Sequence, residues 1–249
     1  MANPVDPRLG RGPAWAAQRG ATDAVAYDAG LRSYMLSVYN YMMSAVLLTG
    51  LVSVGMAYTG AVNLLFTPQG GATLLGWIVM LAPLGMALLL GLRVQKMSTA
   101  AVQATFWVFA VVMGMSMSTI FLRYTGTSIA TTFFATAAAF AGLSLYGYTT
   151  KKDLSGLGTF LVMGVVGLLV AMVLNMFLQS GPLALMISIA GVLIFAGLTA
   201  YDTQKIKLMY DHVAGTDMMG KTIIMGALTL YLDFINMFMF LLNILGNRD

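Results

Sequence analysis

Seven long apolar runs constrain this chain more than any other feature: 34–58, 73–92, 100–122, 128–148, 157–178, 183–201 and 223–245. Each is close to the roughly 20 residues an α-helix needs to cross a hydrocarbon core about 30 Å thick. Between them sit turn formers such as Thr67-Pro68-Gln69-Gly70-Gly71 and Ser180-Gly181-Pro182, which ask for tight connections and no further domain. Only 9% of the 249 residues are charged and 59% are hydrophobic, whereas soluble domains carry about 25% charged residues. The expected fold is therefore an all-α integral membrane protein of seven transmembrane helices, with one seven-helix domain over residues 31–249. Residues 1–30 hold three prolines and few large apolar side chains, a composition that predicts a disordered cytoplasmic tail.

Orientation follows from lysine and arginine, because basic loops stay in the cytoplasm. Arg8, Arg11, Arg19, Arg32, Arg93, Lys96, Lys151, Lys152, Lys205, Lys207 and Lys221 fall on one side, and Arg123 and Arg248 on the other. The N-terminus is expected inside and, after seven spans, the C-terminus outside. The net charge of +4 is spread over helix ends and the tail, a pattern that suits anionic membrane lipid as a partner and not nucleic acid. There is no cysteine and a single His212, so disulfides and Cys/His zinc sites are excluded. No cofactor is expected.

All nine acidic residues are aspartates, and one of them, Asp233, lies deep in the last span. A carboxylate at a helix centre costs about 2.5–3.5 kcal/mol to insert, so it must face protein or water, find a partner or take up a proton. At about 100° per residue, Thr222, Gly226, Thr229, Asp233, Asn236 and Asn243 share one arc of that helix. For Thr229, Asn236 and Asn243 the choice is between interhelical hydrogen bonds and a pore-lining polar face. Asp202 closes the sixth apolar run. If the sixth helix ended there, Asp202 would lie at the membrane boundary, shallower than Asp233; a helix continuing to about Tyr210 would close the gap. Arg93, at the cytoplasmic end of the second span, is either a positive-inside anchor or a mobile counter-ion for a buried aspartate.

The segments Leu230-Tyr231-Leu232-Asp233-Phe234-Ile235-Asn236, Ala200-Tyr201-Asp202-Thr203-Gln204-Lys205-Ile206-Lys207 and Lys151-Lys152-Asp153-Leu154-Ser155 resemble the Bax inhibitor family, also called the transmembrane Bax inhibitor motif family, in its bacterial form. The resemblance implies six helices wrapped around a central seventh, in a bacterial inner membrane. It further implies a pH-sensitive calcium leak channel, gated by Asp202 and Asp233 as an aspartate pair, with Arg93 as the gate's counter-ion. Two carboxylates in a poorly solvated site cannot both ionise cheaply, so they share a proton and titrate as a pair. Calcium prefers about 6–8 oxygen ligands, and two aspartates offer only a transient site suited to passage. Ca²⁺ and protons are then what the protein handles, with Ca²⁺ as the permeant ion.

Two other functions are compatible with the same residues. One is a non-transporting regulatory protein that binds an integral membrane partner, such as a membrane protease or cell-death component; the other is a proton/calcium exchanger. An enzyme is not expected. Presenilin-like proteases also place aspartates on helices six and seven, but Asp233 follows Tyr231-Leu232 and not Gly-x-Gly, and no proline occurs after Pro182.

Overall fold

A computed structural model describes residues 14–67, 69 and 71–247, with side chains from Ala26 onward. Seven α-helices follow in order: α1 Ala14–Tyr58, α2 Leu74–Arg93, α3 Thr99–Met117, α4 Gly126–Thr149, α5 Ser155–Leu178, α6 Gly181–Val213 and α7 Met219–Leu245. Among the described residues, all seven are long and apolar enough to cross a membrane, and no extended strand accompanies them. Hydroxyl side chains start four of the helices: Thr73, Ser98, Thr125 and Ser180 accept hydrogen bonds from the amides of Gly76, Ala101, Ser128 and Leu183. Each supplies a partner for an amide that the helix itself leaves unpaired.

Two boundaries differ from those that hydropathy predicts. The first 13 residues of the expected tail lie outside the described residues, but residues 14–30 belong to α1. Ala14, Ala16, Ala17, Gln18 and Arg19 are good helix formers, which favours a helix there. The sixth helix runs twelve residues past Tyr201 to Val213. Its extension, Asp202-Thr203-Gln204-Lys205-Ile206-Lys207-Leu208-Met209-Tyr210, is too charged to register as a span, yet contains nothing that stops a helix.

The seventh helix is the most buried of the described spans. It packs extensively against α1, α3, α4 and α6, whereas α2 docks on α3 and α5 docks on α6. As expected, α7 is central: four helices pack directly on it, and α2 and α5 lie outside them. Aromatic side chains lock α7 in place: Tyr231 meets Phe109 of α3 at 5.5 Å between ring centroids, and Phe234 meets Phe140 of α4 at 5.7 Å. In lipid, where apolar burial gains little over the hydrocarbon itself, such close packing holds helices together.

Candidate functional site

The helices α6 and α7 form an antiparallel hairpin joined by residues 214–218. Asp202 lies eleven residues before the end of α6, and Asp233 lies fourteen after the start of α7. At 1.5 Å per residue both are about 17–21 Å from the turn. The extended α6 therefore brings the two aspartates to the same level, close enough for each carboxyl group to act on the other. Asp202 is 8% exposed and Asp233 4%. The Oδ2 atom of Asp233 is fully enclosed and has no hydrogen-bond partner among the described residues. Lys205, one turn along α6, is the cation whose charge acts on Asp202, but its side chain is exposed and its Nζ lies 5.8 Å from the Tyr201 ring centroid. Among the described residues, no third acidic, histidine or cysteine side chain joins the two carboxyls.

Small residues and a side-chain amide fix this stretch of α6. A Cβ at Gly147 of α4 would run into the carbonyl oxygen of Ala200, and one at Gly158 of α5 into the ring of Tyr201. On the α7 side, a Cβ at Gly226 would lie 3.2 Å from Cγ2 of Ile206. Glycine at 147 and 158 is what lets α4 and α5 approach the two residues that precede Asp202. Next to the aspartate, Thr203 shares a hydrogen bond with Ser144 of α4 at 3.0 Å, and Ser144 another with Tyr39 of α1 at 2.7 Å. A hydroxyl chain thus ties three helices together beside the site. A second one joins Tyr231 of α7 to Thr49 of α1 at 2.7 Å, and the Thr49 hydroxyl also reaches the Ala110 carbonyl of α3 at 2.9 Å.

Gln204 clamps the α4–α5 connection. Its Oε1 accepts from the Leu154 amide at 2.9 Å and its Nε2 donates to the Lys152 carbonyl at 2.8 Å. Gln204→Ala leaves both backbone groups of a partly enclosed loop unpaired, and is expected to destabilise the protein by about 1–3 kcal/mol. A lowered thermal midpoint in detergent would show it; an unchanged midpoint would mean that water replaces the clamp. In the same loop, the Asp153 carboxylate accepts from the Ser155 hydroxyl at 2.6 Å and the Ser155 amide at 2.9 Å. These two bonds favour its charged form and hold its pKa below the ordinary value. Stability from this cap is present above the ordinary aspartate value of about 3.9 and is lost as pH falls through the lowered one. The Ser155 amide resonance is therefore expected to titrate below pH ~3.9, and to show no such transition in Asp153→Ala.

The family model described as "Inhibitor of apoptosis-promoting Bax1" matches residues 31–249. The chain belongs to the Bax inhibitor family. Similar members include the inner membrane protein YbhL of Escherichia coli, 44% identical over 88% of this chain and 94% of its own length. An uncharacterized protein of Rickettsia prowazekii, RP147, is 47% identical over 89% of this chain and 92% of its length. An uncharacterized membrane protein of Streptococcus pyogenes is 34% identical over 89% and 96%. All three span nearly the whole seven-helix bundle.

The other candidate residues of this Bax inhibitor family chain do not gather at the aspartates. Arg93 ends α2 with an exposed side chain, and among the described residues no ion pair joins it to either aspartate. Thr229 and Asn236 flank Asp233 on α7, but each donates to the carbonyl four residues back, of Met225 at 3.1 Å and Leu232 at 2.8 Å. These bonds stay within α7, and among the described residues neither side chain bonds to another helix. Asn243 is exposed near the far end of α7. Sequence reasoning missed Tyr39, Ser144, Thr203 and Gln204. The available signal was a serine, a threonine and a glutamine near the ends of apolar runs, each needing a buried partner.

Proposed function

We propose that this protein is a pH-sensitive calcium leak of a bacterial inner membrane, gated by Asp202 and Asp233 sharing one proton. The observation that carries the reading is the approach of two enclosed carboxyl groups on adjacent helices. Singly protonated, the pair carries one negative charge and its shared proton holds α6 against α7. When the proton leaves, two like charges face each other in a poorly solvated site, and the contact turns repulsive. A divalent cation relieves that repulsion. Two carboxylates without a third supply too few oxygens to retain calcium, which prefers about 6–8 ligands, so the ion passes on down its gradient. Arg93 acts in this scheme as a mobile counter-ion, able to engage an ionised aspartate after rearrangement of the end of α2. In this reading the α2–α3, α4–α5 and α6–α7 connections lie in the cytoplasm with the start of α1, and the end of α7 lies outside; the basic residues at those connections support that orientation.

The test is Ca²⁺ entry into liposomes holding the purified protein, from about pH 6 to 8, where a proton-sharing pair can titrate. Flux that rises with pH is the expected result. Absence of flux at every pH would overturn the proposal and favour a regulator that acts by binding another membrane protein. Flux that needs an opposing proton gradient would make the protein an exchanger.

A further inference from the structure

An apolar groove of about 780 Å³ runs between α1 and α4, floored by Phe234 of α7. Its walls are Met42 and Val46 on one side and Phe133 and Phe140 on the other. The rim residues Leu36, Met43, Leu47 and Leu145 are all at least half exposed, so the groove opens sideways toward membrane hydrocarbon. Its polarity is confined to one end, where Arg32 and Tyr148 stand at the mouth and the Tyr39–Ser144 hydroxyl pair lies just inside. That end is also the lysine-rich one: Lys207 donates to the Tyr148 carbonyl at 2.8 Å, and Lys151 and Lys152 follow α4 directly. Arg32 is exposed, and among the described residues no carboxylate pairs with it.

We propose that this groove is a binding site for one anionic phospholipid, with an acyl chain along α1 and α4 and the phosphate at Arg32. The dimensions suit that occupant. On α1 the lining extends from Arg32 to Leu47, about 22 Å at 1.5 Å per residue, which accommodates a chain from one leaflet of a core about 30 Å thick. A helix about 10 Å across would use up the same volume in about two turns, so a whole partner span does not fit. Charge complementarity selects the headgroup: a guanidinium with no carboxylate partner among the described residues, at a lysine-rich end, favours an anionic phosphate ester over a zwitterionic one.

The test is native mass spectrometry of the full chain, released from vesicles of equal phosphatidylglycerol and phosphatidylethanolamine. Wild type is expected to retain one phosphatidylglycerol in preference to phosphatidylethanolamine. Arg32→Gln, an exposed change that leaves the fold alone, is expected to reduce that preference about fivefold, equivalent to about 1 kcal/mol for one basic side chain at a membrane surface. Ala141→Phe, which fills the groove from α4, is expected to abolish retention of either lipid. No retained lipid on wild type, or retention and preference unchanged in both variants, would overturn the proposal. So would disulfide cross-linking between two copies of Ala141→Cys in an otherwise cysteine-free chain, since a second copy would then occupy the groove.

Discussion

Asp202→Asn combined with Asp233→Asn is expected to abolish the pH dependence of calcium flux, leaving a flat profile between pH 6 and 8. Across two pH units the ratio of ionised to protonated forms of a titrating carboxyl changes about 100-fold, whereas an amide keeps one charge state throughout. The substitution is nearly isosteric, and two amides can still donate to and accept from each other, so the α6–α7 contact is preserved while its proton is not. Each single variant leaves one carboxyl beside an amide, and the pair-level titration becomes that of a single group. Liposome flux measured for all four proteins separates these cases. A double variant that retained wild-type pH dependence would move the sensor elsewhere and sink the gating scheme.

The second large effect is structural. Gly147→Val is expected to destabilise the bundle by about 3 kcal/mol, at the upper end of ordinary overpacking costs. The obstacle is a main-chain carbonyl, that of Ala200, which cannot swing aside as a flexible side chain would. The helices α4 and α6 must separate, and the Ser144–Thr203 hydrogen bond lies in the same seam. A lowered thermal midpoint in detergent reads the cost, and Gly142→Val, where a Cβ meets nothing within 4 Å, is the control. Equal behaviour of the two variants would show that the seam relaxes freely.

The bundle was legible from hydropathy because seven apolar runs admit few alternatives in lipid. Asp233 was legible for the same reason, as a charge that such a run should not contain. The meeting of Asp202 with Asp233 was not. It depends on how far α6 continues, and Lys205, Lys207 and Asp211 silence a hydropathy reading while leaving the helix intact. The polar arc of α7 was visible as a periodicity, but periodicity cannot tell a threonine that faces a neighbour from one that bonds its own backbone, as Thr229 does. The hydroxyl chain through Tyr39, Ser144 and Thr203 joins residues 105 and 59 positions apart, and no local pattern announces it.

The central position of α7 also bears on biogenesis. Helices enter the membrane in the order they are synthesised, so the strand of the bundle that the others pack around leaves the ribosome after α1, α3, α4 and α6 are already in lipid. Until it arrives, Tyr231's place against Thr49 and Phe109 is unfilled and Asp202 has no opposite number. The contacts that α7 makes with α1, α3, α4 and α6 can form only once it has entered the bilayer, so the packed centre of the bundle is completed last.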